Sequence, residues 1–397
     1  AGPQCTMMLA DLGADVIKVE PPKDGDESRS FRPPSFGGES SFFLSLNRNK
    51  RSIALDIATA EGQSVARELA AESDVVVENF RTGIVERWGL DDATLREVNP
   101  RLVYCSISGY GRDGPLADRP GYDPVIQAEC GMMWVNGDPD GEPVRLGVSL
   151  IDLTSGMYAA QAILAALYHR RETGEGQRID IPLFDTCAAM LIPYASTCLT
   201  ADADPVRTGN SSAYAQPVGL YRAADGPFIL SVARDRMYRQ LCEEVLGRPD
   251  LYENPNFASN ELRARNRLEL RNALNEVFAA DTRDNWIAAM REVGIPAGPI
   301  RSVKDAMRSE EAAARGIVRE APHTEAGTVS VIASPMHFSE TPVRDPIGSP
   351  LLGEHTEEVL REVAGYDAAR IGALRAAGVI ASSNHEGNGV EVTTIGD

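Results

Sequence analysis

No CxxC pair occurs among the six cysteines, which stand apart at 5, 105, 130, 187, 198 and 242. In a chain of 397 residues such spacing makes no disulfide framework, so reduced thiols are expected. The five histidines are equally scattered and form no HExxH or comparable ligand spacing, so no metal centre is expected. Neither GxGxxG nor GxxxxGK[ST] occurs, which leaves a dinucleotide fingerprint and a P-loop without support. Basic residues are few: 39 Lys and Arg stand against 58 Asp and Glu, a net charge of −19. Phosphate backbones require a basic surface, so the charge disfavours nucleic acid, none is expected as a partner, and the acidity reads as a solvated face. No apolar run approaches the ~20 residues of a membrane span. The chain opens on Ala1 rather than Met, with no basic-then-apolar leader. A cytoplasmic protein without a membrane partner is expected.

What is present supports a large core: 43% of residues are hydrophobic and 24% charged. Short apolar strands alternate with amphipathic helices through the first half. Residues 14–20 read as a strand, as do 52–56, with a helix over 60–72 between the second and the next. Residues 74–78 (DVVVE) and 102–108 (LVYCSIS) are continuous apolar runs, the pattern of strands buried on both faces. The implied class is α/β, a doubly wound parallel sheet. A long helix is expected over 151–171, with Met157, Ala160, Ile163, Leu164 and Leu167 at helical spacing. A strand over 177–182 and a helix over 183–199 follow.

The domain reading is a large α/β domain over 1–200, a linker over 201–216 rich in Ala, Asp, Ser and Asn, and a smaller α+β domain over 217–320. Residues 321–381 are expected to return to the large domain. The segment 382–397 lacks periodicity and is expected to be disordered.

Parallel sheets bind ligands beyond the carboxyl ends of their strands. Here those ends carry Glu78-Asn79-Phe80-Arg81 and Ser108-Gly109-Tyr110-Gly111. Asn79, Phe80, Arg81 and Arg87 read either as an ordinary strand-to-helix loop or as a nucleotide site, with arginines for phosphate and an aromatic face for a base or pantetheine arm. Lys18, Lys23, Arg29, Arg48, Lys50 and Arg51 add a local basic excess. Asp152 also has two readings. It caps the long helix, or it is a carboxylate kept ionised by the positive helix end and free to attack an acyl carbon. Tyr122 is either a core aromatic or a hydrogen-bond partner of substrate, and residue physics alone does not separate these.

Several segments in order resemble the class III coenzyme A transferases, the family of formyl-CoA transferase and carnitine CoA-transferase. They are AGPQCTMMLADLGADVIKVEPP at the start, LNRNKRSIALD at 46–56, VVENFRTGIVERWGL at 76–90, SISGYGRDGP at 106–115 and GYDPVIQAECG at 121–131. The long match at 147–185, GIPAGPI at 294–300 and LLGEHTEEVL at 351–360 complete the series. The resemblance implies a Rossmann-like large domain, a small domain, and an interlocked homodimer. It places the catalytic aspartate on Asp152, coenzyme A contacts on Asn79, Phe80 and Arg87 with Leu55 near the adenine, and a substrate tyrosine on Tyr122. Acyl-CoA and a small carboxylic acid are the implied substrates, with no metal.

The sequence also departs from the family pattern. A strand and polar loop normally precede the AGP segment, so the sheet is expected to lack its first strand. Pro21 replaces an arginine, with Lys23 as its substitute. No equivalent of the glycine-rich active-site loop occurs in 205–230, so formate and oxalate specificity do not carry over. Two rival readings remain. The α-methylacyl-CoA racemases share this fold but pair the aspartate with a histidine in a Gly-His-Asp segment. Here that segment is Gly121-Tyr122-Asp123, and tyrosine, with a reference pKa near 10, is a poor general base. The third reading is a homologue that binds acyl-CoA without turning it over.

Overall fold

The computed structural model describes residues 1–382 and the two-residue strand Val392–Thr393, which pairs with Phe36 and Ser35. The expected disordered tail therefore falls, apart from Ser382 and that strand, outside the described residues. The chain forms two compact units. One comprises residues 1–130, 147–195 and 310 onward; the other comprises 131–146 and 196–309.

In the first unit, α1 (Gly2–Asp11) leads into β1 (Val16–Glu20), and β2 (Lys50–Leu55) pairs parallel to it. Helix α2 (Ala60–Ala71) starts on Thr59, whose hydroxyl accepts from Gly62 N–H. Then come β3 (Val75–Glu78) and β4 (Val103–Ser108), every residue of β4 being buried, as its unbroken apolar run requires. After α3 (Asp123–Glu129), α4 spans Leu150–Thr173 and stops where Gly174 turns left-handed at φ 81°. Strand β5 (Arg178–Pro182) and α5 (Leu183–Met190) follow.

The parallel strands do not form one sheet. β2 also pairs antiparallel with the strand Ile380–Ala381, so that β1, β2 and this strand form one sheet, while β3, β4 and β5 form a separate parallel sheet in that order. Helix α1 packs against both β1 and β3. The helix expected over 183–199 is two helices broken at Leu191, because Pro193 has no N–H to continue the first.

Helix α4 is long and apolar enough to pass for a membrane span. Its close packing lies on the Ile151, Ser155, Ala159 and Ile163 side, while Met157, Leu164 and Tyr168 face outward. So the apolar residues expected at helical spacing divide between two faces: Ala160 and Ile163 are buried, but Met157 and Leu164 are not.

The second unit has its own core, built on Tyr221, Phe228, Tyr238, Leu270, Leu274 and Phe278. The stretch expected as a linker is anchored within this unit. Arg207 donates to the carbonyls of Trp134, Asp138 and Gly141 and stacks over the Trp134 ring at 5.5 Å. The unit ends at Ser309, and Val318–His323 forms a hairpin with Gly327–Ile332 in the first unit.

Helix α4 approaches α1 closely only because position 156 is glycine. A Cβ there would lie 2.8 Å from the Ala1 carbonyl oxygen and 2.9 Å from two carbons of Gln4. Gly156→Leu is expected to lose about 1–3 kcal/mol of stability, read as a lower urea midpoint at unchanged m-value.

Candidate active site

Asp152 stands in the first turn of α4, where the first N–H groups have no partner within the helix. Ser149 at the N-cap supplies no side-chain bond. Asp123, at the start of α3, does so instead: its Oδ2 accepts from Ile151 N–H at 2.8 Å and from Asp152 N–H at 3.2 Å. The Gln127 amide donates to the other oxygen at 2.6 Å. Asp123 is only 3% exposed. The capping reading of Asp152 is thereby corrected, since a residue 29 positions earlier takes the helix-start amides. The Asp152 side chain is left 36% exposed, with Oδ1 3.6 Å from the Ala1 nitrogen. Burial raises its pKa, and the Asp123 charge adds to the rise.

The carboxyl end of β3 adjoins this place. Asn79 donates from Nδ2 to the Ile107 carbonyl at 2.9 Å, and its Cβ lies against Gly2 at the start of α1. Phe80 is exposed and meets the Trp88 ring edge-on at 5.3 Å. Arg81 and Arg87 are exposed, and neither has a carboxylate partner among the described residues. Cations so placed are open to an anionic ligand.

Tyr122 occupies the residue before α3 and is 73% exposed, so it is not a core aromatic. Its neighbour Asp123 ties it to Asp152. Gly121 packs on Gly109 so closely that a Cβ on Gly109 would lie 2.9 Å from Gly121 Cα. Asp123, next to Tyr122, bonds the start of α4, and Asn79 lies against Gly2 at the start of α1, which α4 packs on; Phe80, Arg81 and Arg87 follow Asn79 in the loop after β3. Lys23 and Leu55 belong to the other sheet. Lys23 is exposed beyond β1. Leu55 is 1% exposed, packed in a core cluster with Val65, Leu69 and Val359.

Two residues escaped the sequence reading. Asp123 is one. The other is Arg112, whose guanidinium donates to both Glu78 oxygens at 2.7 and 2.8 Å, to the Phe80 carbonyl at 2.8 Å and to the Thr82 hydroxyl at 3.3 Å. This cation fixes the loop that carries Asn79 and Phe80. A glutamate ending a buried strand was the available signal, because a buried carboxylate needs a cation.

No group of three or more His, Cys, Asp or Glu among the described residues is placed to hold a metal ion. The model of CoA-transferase family III matches residues 1–356. The chain belongs to this family. It is 38% identical to the human succinyl-CoA:glutarate CoA-transferase over 380 residues, 96% of this chain and 86% of that protein. An acetyl-CoA:oxalate CoA-transferase from Acetobacter aceti is 36% identical, covering 92% of this chain and 93% of the relative. Among solved structures, a CAIB/BAIF family protein from Brucella suis superposes with a TM-score of 0.82 at 38% identity, covering 91% of this chain and 95% of that one. Acyl-CoA and carboxylates are the substrate classes that membership of this transferase family implies.

The Glu78–Arg112 pair is nearly buried, with side chains 5% and 7% exposed. Arg112→Ala strands the Glu78 charge and is expected to cost about 3–5 kcal/mol. The double variant Glu78→Leu/Arg112→Leu should cost less than this single one, as measured by urea denaturation.

Proposed function

We propose that this protein moves coenzyme A from an acyl-CoA to a carboxylic acid through covalent catalysis at Asp152. The observation that carries the reading is that Asp123 relieves Asp152 of capping, leaving a partly exposed carboxylate at a helix start. One Asp152 oxygen attacks the thioester carbon. The C–S bond breaks, CoA leaves as the thiolate, and an aspartyl–acyl anhydride remains. The thiolate then attacks the aspartyl carbonyl, which releases the first acid and gives an aspartyl-CoA thioester. The acceptor carboxylate attacks that thioester, and the same steps run in reverse. The thioester bond energy is conserved throughout, so no ATP is consumed.

In this proposal Arg81, Arg87 and Lys23 meet the phosphates of CoA, Phe80 and Asn79 meet its pantetheine arm, and Tyr122 faces the acyl group. Leu55, whose side chain lies in the core, borders the adenine side only through its backbone. The acceptors in the names of the relatives described above, glutarate and oxalate, are both dicarboxylates. A dicarboxylic acid is therefore the acceptor class we assign.

Asp152→Ala is expected to abolish transfer while Asp152→Asn still binds CoA in calorimetry. Hydroxylamine trapping followed by mass spectrometry should place the adduct on Asp152. Asp152 acts deprotonated and its pKa is raised, so activity should fall with decreasing pH at a limb above that of an ordinary aspartate. Full turnover by Asp152→Ala would end this reading. In heavy water a 2-methylacyl-CoA should gain no α-deuterium, because Tyr122 stands where a racemase would need its histidine.

The outward stripe of α4, Met157, Gln161, Leu164 and Tyr168, is exposed and mainly apolar. We assign it to a homodimer contact, since contiguous exposed apolar surface marks association. Light scattering should give twice the mass of one chain, and Leu164→Arg with Tyr168→Glu should reduce it. A wild-type monomer at micromolar concentration would refute the dimer.

A further inference from the structure

We infer that Asp123 is the positioning residue for Asp152, an inference that rests on Asp152 being the nucleophile. It takes the donors at the start of α4, so that the Asp152 carboxylate is held in place yet left without backbone hydrogen bonds.

A carboxylate that accepts helix-start N–H groups is stabilised as the anion and is correspondingly less basic and less nucleophilic. At this helix start the acceptor is not the reacting residue. Asp123 binds the N–H groups of Ile151 and Asp152, and Ser149 contributes no side-chain bond. Asp123 cannot drift. It is 3% exposed, the buried Gln127 amide holds Oδ1 at 2.6 Å, and the segment before it is pinned where Gly121 packs on Gly109. The charged and titratable groups around the pair are few. From α5 the Cys187 thiol lies within the field of Asp123, with Cys130 bonded to it from the end of α3. Asp123 thus contributes a fixed negative charge beside a carboxylate that must lose its own charge on acylation. Such a neighbour favours the step from anion to neutral acyl-aspartate.

Asp123→Asn keeps the side-chain shape but removes the charge and replaces one acceptor by a donor. It is expected to lower kcat about tenfold or more, leave CoA affinity within about threefold, and move the acid limb of the kcat profile to lower pH. A merely structural residue would not move that limb. If Asp123→Asn fails to fold, Gln127→Leu removes the donor that orients Asp123 while keeping its charge, and should lower kcat about fivefold with CoA affinity unchanged. Wild-type kcat and an unmoved acid limb in the variant that folds, with Asp152→Ala inactive, would overturn the role of Asp123 alone. An active Asp152→Ala would instead remove the nucleophile reading beneath it.

Discussion

The bonds that Asp123 accepts from the first turn of α4 are the constraint on which the site depends. A helix start presents N–H groups that must find acceptors, and an acceptor already in the helix would be spent on them. By drawing that acceptor from α3, the fold leaves Asp152 at the same electropositive end with its oxygens free. The arrangement also joins two segments distant in sequence, so Tyr122, just before Asp123, is delivered to the neighbourhood of Asp152 without any contact of its own.

An ion pair does comparable work at the sheet edge. Arg112 lies beyond β4 and reaches back to Glu78 at the end of β3, and further to the Phe80 carbonyl. The loop between β3 and the helix that follows is thus tied to the neighbouring strand. Asn79 is held to β4 by its own bond to Ile107. The two devices divide the labour: one fixes the start of the helix that carries Asp152, the other fixes the loop that carries Asn79 and Phe80. Close contact at Gly156 brings α1, and with it Gly2 against Asn79, to the same point.

Much of this was legible beforehand because it is local. Apolar runs at 74–78 and 102–108 mark buried parallel strands, and Gly174 marks the end of α4, since both depend on neighbours in sequence. The loops after the strands pointed to Asn79, Phe80, Arg81 and Arg87 as candidates, because ligand sites in parallel sheets gather at those ends. Leu55 shows what such a motif leaves open. The same motif that pointed to it as an adenine neighbour also reads as a strand interior, and in the fold the side chain turns into the core. A linear motif does not specify which way a side chain faces.

By itself, the sequence determined the alternation of strands and helices, the family, and the position of Asp152 at the head of a long helix. The tertiary structure alone decided that Asp123 rather than Asp152 caps that helix, that Arg112 neutralises Glu78, that residues 131–146 group with 196–309, and that the parallel strands divide into two sheets. The physical reason is range. Periodicity and helix ends are written in contacts a few residues apart, whereas each of these four features joins groups far apart in the chain, and only the folded path brings those groups within bonding distance.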